Sequence, residues 1–300
     1  MSARLKRLGV VKGARKLKPA PPLKPDKRPF SPSPDKSFSR IASRPEQTFD
    51  DINDDEEGNI QPLETLLPGG KLVETAEGDC FVLDQVYPLS YRHGNGRLID
   101  LITFTPQQAQ FITKDDRFAE LDFRDFLFVD TETTGLAGAG TLAFMVGVGF
   151  FEANSTSGSE AFVVRQYFLR DHGDEPAMLL LLDELLQQKK GLISFNGRSF
   201  DIPLLDGRFL MNRLFSDLTD LPHFDLLHPA RRLWRNRLGS CALGALEPNL
   251  LGIERTHEDV PGWLIPSLYN DYLRSGNARE LVRVFLSQSA RHDFDGHAGY

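Results

Sequence analysis

Cysteine is nearly missing from this chain. Cys80 and Cys241 are the only two in 300 residues. That excludes a disulfide framework and fits a reducing compartment, so a cytoplasmic location is expected. No run of about 18 apolar residues occurs, so no segment reads as a membrane span and no membrane partner is expected. The longest apolar stretches, such as Phe144–Phe151, are strand-sized. Positive charge is not in excess either: the net charge is −7. That argues against a uniformly basic nucleic-acid coat and leaves room for a local basic groove. No internal repeat is present. What remains, 40% hydrophobic and 26% charged residues, is the composition of a folded chain and excludes one that is fibrous or disordered throughout.

The charges are unevenly placed. Residues 1–60 form a tail that is first basic and rich in Pro and Ser, then acidic at Asp50, Asp51, Asp54, Asp55, Glu56 and Glu57. It has too few large apolar residues to offset its chain entropy and is expected to be disordered. Residues 65–120 alternate short apolar runs with the turn signals Pro68-Gly69-Gly70 and Gly94-Asn95-Gly96. They read as a small β-rich lead-in.

From residue 121 the pattern sharpens. Phe126–Val129, Leu142–Phe151, Ala161–Leu169, Leu192–Phe195 and Leu221–Phe224 read as five strands. Ala177–Leu186, Phe200–Leu214 and the basic Leu226–Leu238 read as helices, and Asn154–Ser159 as a turn. Three strands in hairpin order followed by alternating helix and strand predict an α/β domain over 121–286. Its core is a mixed five-stranded sheet flanked by helices.

The chemistry concentrates at two places. The first is Asp130-Thr131-Glu132-Thr133-Thr134-Gly135, closing a very apolar strand. Strand alternation sends Asp130 and Glu132 to one face. Two close carboxylates repel, and a hard divalent cation resolves that conflict. The second is Asn196-Gly197-Arg198-Ser199-Phe200-Asp201, a strand end, a tight turn and an acidic helix start. Asp201 is either a helix cap or, if the first and fourth strands are neighbours, a third carboxylate converging on the first two. Glycines 135, 138 and 140 follow the first strand without the Gly-x-Gly-x-x-Gly spacing of a dinucleotide-binding turn.

Together these motifs resemble those of the DEDD 3′–5′ exonucleases of the ribonuclease H-like superfamily, and in particular nucleases of the YprB type. The stretches Phe224–Trp234 and Asp259–Tyr269 share in the resemblance. It implies a ribonuclease H-like fold and a hydrolase of nucleic-acid phosphodiester bonds, acting as a 3′–5′ exonuclease on single-stranded DNA or RNA ends. It implies two divalent cations, Mg²⁺ or Mn²⁺, one generating hydroxide and the other stabilising the leaving 3′ oxygen. Asp130, Glu132 and Asp201 would be the catalytic metal ligands. Thr133 and Asn196 would shape the substrate site, and Phe200 would pack beneath it. Arg231, Arg232 and Arg235 crowd one helix, as a solvated face or as phosphate contacts along the substrate groove.

The family's third motif, of the form His-Asn-x-x-Asp, is absent in its expected place after Phe285. Residues 287–300 read as an aberrant end, in which Asp293 and Asp295 have Ser289 and Arg291 four residues before them. Back-translated one base later, Ser287–His292 encodes His-Asn-Gln-Leu-Asp, which predicts a frameshift near codon 287. Three of four metal carboxylates would then remain and activity would be impaired. The alternative is a catalytically inactive nucleic-acid-binding module. His223, His228 and His257 lack metal-ligand spacing and read as structural. Trp234 and Trp263 read as packing residues, and Asp225 as a helix cap or a cleft residue.

Overall fold

The computed structural model describes residues 63–103, 107–135, 140–153, 159–253 and 260–290. The basic-to-acidic tail, the Asn154–Ser159 turn apart from its last residue, His257, Asp259 and residues 291–300 lie outside the described residues.

Nine strands are described: β1 (Gly70–Thr75), β2 (Gly78–Pro88), β3 (Arg92–His93), β4 (Gly96–Arg97), β5 (Phe126–Thr133), β6 (Ala143–Ala153), β7 (Glu160–Phe168), β8 (Gly191–Ser194) and β9 (His223–Asp225). Five longer helices accompany them: α1 (Glu175–Leu186), α2 (Asp201–Met211), α3 (Leu227–Leu238), α4 (Ile265–Ser275) and α5 (Arg279–Ala290).

The main sheet has seven strands in the order β1-β2-β7-β6-β5-β8-β9. Strands β1 to β5 of that order pair antiparallel, and β5, β8 and β9 run parallel. The five-stranded expectation is therefore corrected to seven. The two extra strands come from the lead-in, whose β2 pairs with β7 from Phe81↔Phe168 to Pro88↔Ala161. The reason is physical: without β2, the long apolar β7 would leave an unpaired edge.

Register sorts the side chains into two faces. One carries Leu127, Val129 and Thr131 of β5, with Val148 and Val146 of β6 opposite the last two. Helices α1 and α2 cover it. Tyr167 Oη donates to the Leu181 carbonyl of α1 at 3.3 Å. The two helices are tied together by a bidentate pair from Arg208 to Glu175, with N–O distances of 2.6 and 2.5 Å. Both groups are nearly buried, so removing either would strand a charge. Pro176 occupies the first turn of α1, where its missing N–H costs nothing.

The other face carries Phe128, Asp130 and Glu132, opposite Gly149, Gly147 and Met145. The C-terminal helices dock through aromatic rings at the end of the sheet where Glu132 lies, since Glu132 pairs with Met145 and Met145 with Phe168. Phe144 stacks on Tyr269 with centroids 4.0 Å apart, and Phe168 meets Phe285 at 5.2 Å. Gln166 Nε2 donates to the Phe285 carbonyl at 3.3 Å. Trp263, expected to pack, is 81% exposed. It precedes α4, whose buried residues are Ile265 and Tyr269.

Candidate active site

The parallel strands β5, β8 and β9 all end on one side of the sheet, where α/β folds place their sites. Asp130 and Glu132 stand near the end of β5. Asp201 opens α2 after the turn that leaves β8. The first and fourth strands of the expected core, β5 and β8, are neighbours as the motif reading required.

Asp201 is buried and accepts a hydrogen bond from Thr131 Oγ1 at 2.5 Å. Burial pushes its carboxyl up to about 6, with the charge of Asp130 adding to the rise and the Thr131 hydroxyl opposing it. Thr131 belongs to the face opposite Asp130 and Glu132. Among the described residues, no three His, Cys, Asp or Glu side chains gather closely enough to hold a metal ion. Asp201 also feels the charge of Asp130, so these two carboxylates lie within electrostatic reach at the end of the neighbouring strands β5 and β8. The donor chemistry itself fits a hard divalent cation: Asp130 and Glu132 present carboxylate oxygens on one face. Asp201, which Asp130's charge disfavours, would ionise more readily beside such a cation.

A sign-specific stability effect follows. An unfolded Asp ionises near its ordinary 3.8, whereas Asp201 in the fold resists ionisation up to about 6. Its contribution to stability is present below 3.8 and lost as pH rises through 6. Asp201→Asn, which keeps an acceptor for Thr131, is expected to stabilise the metal-free protein at pH 8 by about 2–3 kcal/mol. The gain should vanish near pH 4. Urea unfolding in EDTA at the two pH values checks it.

The turn that carries Asn196 is held by Asp225. Its buried carboxylate accepts from the backbone N–H of Asn196 at 2.8 Å, Leu227 at 3.0 Å and Arg198 at 3.1 Å. Asn196 adopts φ +70°, a left-handed conformation that Asn tolerates better than most residues. Below the turn, Ser194 Oγ lies 2.8 Å from His223 Nε2 and accepts from Gly197 N–H at 3.1 Å. Burial pushes the His223 imidazole down to about 4, so near neutral pH the ring is uncharged and shares a single hydrogen bond with the Ser194 hydroxyl, whose direction is set by the ring tautomer. Any side chain at Gly197 would collide here: a Cβ would come 2.5 Å from Ser194 Oγ and 3.0 Å from Asp201 Oδ2. The Ser194–His223 pair escaped sequence reasoning, since its members lie 29 positions apart and carry no shared motif.

Other predicted site residues fall in different places. Thr133 Oγ1 donates to the Gly135 carbonyl at 2.7 Å and so shapes the loop after β5. Phe200, expected beneath the site, is instead 59% exposed. It precedes the first residue of α2, off the buried stripe formed by Ile202, Leu205 and Phe209. Arg231 and Arg235 line a groove of about 710 Å³ together with Phe195, Asn196 and Leu227. Arg232, also exposed, does not line it. Cys241 closes the groove's far wall, its Sγ 3.7 Å from the Ala230 carbonyl.

A family model of the RNase_H superfamily (RNase_H_2) matches residues 127–286, more than half of the chain. The chain belongs to the RNase H superfamily. Within the superfamily it is similar to the protein YprB of Bacillus subtilis (strain 168), with 34% identity over 202 residues, 65% of this chain and 46% of that protein. It thus spans about half the length of the curated relative it matches. Among solved structures it is similar to the family B DNA polymerase of the hyperthermophilic archaeon Pyrobaculum calidifontis. That likeness has a TM-score of 0.38 and 15% identity, over 55% of this chain and 24% of that chain. The superfamily match begins at Leu127 and ends at Leu286, so it takes in Asp130, Glu132, Asp201, Asp225 and the arginine helix. Among the described residues, no helix is long and apolar enough to cross a membrane.

Proposed function

We propose that this protein is a metal-dependent nuclease that hydrolyses phosphodiester bonds from the 3′ ends of single-stranded DNA or RNA. The observation that carries the reading is the placement of Asp130 and Glu132. They share one face at the end of β5, and Asp130 lies within electrostatic reach of Asp201 at the start of α2, in a fold of the RNase H superfamily. Asp130 and Glu132 would hold Mg²⁺ or Mn²⁺, with Asp201 as the third carboxylate. Bound there, such ions supply an activated water and neutralise the leaving oxygen. The chain's own part is positional. Thr131 orients Asp201, and Asp225 holds the turn between β8 and α2. Arg231 and Arg235 lie one helical turn apart, a spacing at which two guanidiniums can follow a phosphate backbone without reading its sequence.

The test is degradation of 5′-end-labelled single strands in Mn²⁺, in Mg²⁺ and in EDTA. A ladder shortening from the 3′ end, lost in EDTA, is the expected result. A second reading, a nucleic-acid-binding module without cleavage, is favoured by the lack of a three-carboxylate cluster among the described residues. Retention of the strand in a mobility shift with no shortening in any metal would establish it instead.

A further inference from the structure

Helix α2 is apolar on both of its sides. The inner side packs Ile202, Leu205 and Phe209 into the core. A surface helix normally turns charged and polar residues to solvent on the opposite side. Here that side carries Phe200, Pro203, Leu204, Gly207, Leu210 and Met211, spaced by three and four residues so that they align in one stripe. Phe215 prolongs the stripe just past the end of the helix. Of the charged residues in α2, Asp201 and Arg208 are buried on the inner side, and the half-buried Asp206 lies between the two sides.

The stripe is open. Phe200, Leu210, Met211 and Phe215 are 59%, 53%, 62% and 79% exposed. Together they leave on the order of 500 Å² of apolar surface uncovered, as much as the largest patch of an ordinary monomer. Gly207 stands at its centre. Glycine is a poor helix residue, and nothing in the chain requires one here: its φ is not left-handed, and a Cβ would meet nothing within 4 Å. A second helix crossing at this point does require it, because a missing side chain lets two backbones approach closely.

The stripe also reads nearly the same in both directions from Gly207. Pro203 and Leu204 precede it, Leu210 and Met211 follow it at the same spacings, and a phenylalanine closes each end. An antiparallel pairing with a second copy needs this self-complementarity. A two-fold axis through Gly207 sets Pro203 of each copy against Met211 of the other, and Leu204 against Leu210. Two copies would cover on the order of 1,000 Å² in total, the area of a weak dimer and not of an obligate one.

We propose that this protein self-associates as a two-fold dimer through the outward side of α2, the two helices crossing antiparallel at Gly207. The inference stands apart from the nuclease reading and uses none of its carboxylates.

Sedimentation velocity of the full chain in EDTA, from about 1 to about 200 μM, tests it. The expected result is a particle of twice the 33.7 kDa of one chain, with a dissociation constant in the micromolar range. Met211→Glu puts a charge into the stripe, and Gly207→Leu fills the crossing point. Each should raise the dissociation constant by about tenfold or more. The monomer should stay folded in both, as circular dichroism can confirm, since Met211 is already exposed and a side chain at 207 has open space. Trp263→Glu changes an exposed apolar residue outside α2 and should leave association within about twofold. A monomer throughout the concentration range would overturn the dimer and leave the stripe to a partner of another kind. A dimer that survives both α2 variants, or that Trp263→Glu weakens as much as they do, would overturn it too.

Discussion

Asp130→Asn is expected to abolish Mn²⁺-dependent degradation of single strands, by about a thousandfold or more. The substitution removes one negative charge and changes almost no volume. Asp130 is half-buried and faces Gly147 across the β5–β6 ladder, so the amide meets no new side chain. The fold should survive, and unfolding in urea should confirm it. What is lost is charge on the face shared with Glu132. Mn²⁺ affinity, followed by electron paramagnetic resonance, should fall with activity, while retention of the strand in EDTA should stay within about twofold of the unaltered chain. Full activity in Asp130→Asn would move the catalytic site elsewhere in the molecule. The same substitution also removes the repulsion acting on Asp201. The Asp201 carboxyl should therefore titrate lower in the variant, a shift that carboxyl-carbon NMR can read.

Asp225→Ala is expected to cost about 4 kcal/mol of stability, the largest loss from any one polar side chain around the site. Its carboxylate serves three backbone donors at 2.8, 3.0 and 3.1 Å. Alanine leaves all three unsatisfied in a place too buried for easy replacement by water. Two of them, on Asn196 and Arg198, lie in the turn between β8 and α2, and the third opens α3. Asp225→Asn keeps one oxygen, enough for the bonds that Asn196 and Leu227 make to Oδ1, and should cost roughly half as much. Because the turn sets Asn196 in its left-handed conformation, the alanine variant should also weaken strand binding beyond the effect of global unfolding. Melting curves and mobility shifts at a temperature where both proteins are folded separate the two effects. An alanine variant as stable as the original would mean that the bonds from Gly197 to Ser194 and from Arg198 to His223 suffice to hold the turn.

Much of the central architecture was legible in local pattern. The expected Ala177–Leu186 helix is α1 with two further residues at its start, and the expected Leu226–Leu238 helix is α3. Apolar runs ending in Asp130, Asn196 and Asp225 marked, to within three residues, the ends of three strands that the fold gathers on one side; β5 continues to Thr133 and β8 stops at Ser194. These features repeat every two or 3.6 residues, so a short window contains them. The seven-stranded sheet was not legible in that way. The pairing of β2 with β7 joins residues about eighty positions apart, and nothing in either segment specifies its partner.

The same division runs through the site. Residue chemistry alone marked Asp130 and Glu132 as oxygen donors for a divalent cation, left Asp201 as a helix cap or a third carboxylate, and left Arg231, Arg232 and Arg235 as a solvated face or phosphate contacts, because charge and donor type belong to the side chain itself. Only the tertiary structure decided that Thr131 takes the Asp201 carboxylate, that Asp225 clamps the turn, and that His93 lines a cavity with Asp130. Those outcomes depend on which face of β5 each residue occupies and which distant segment covers that face. A strand's alternation divides its side chains between two faces. The register of its neighbours and the docking of helices and hairpins then determine what each one meets.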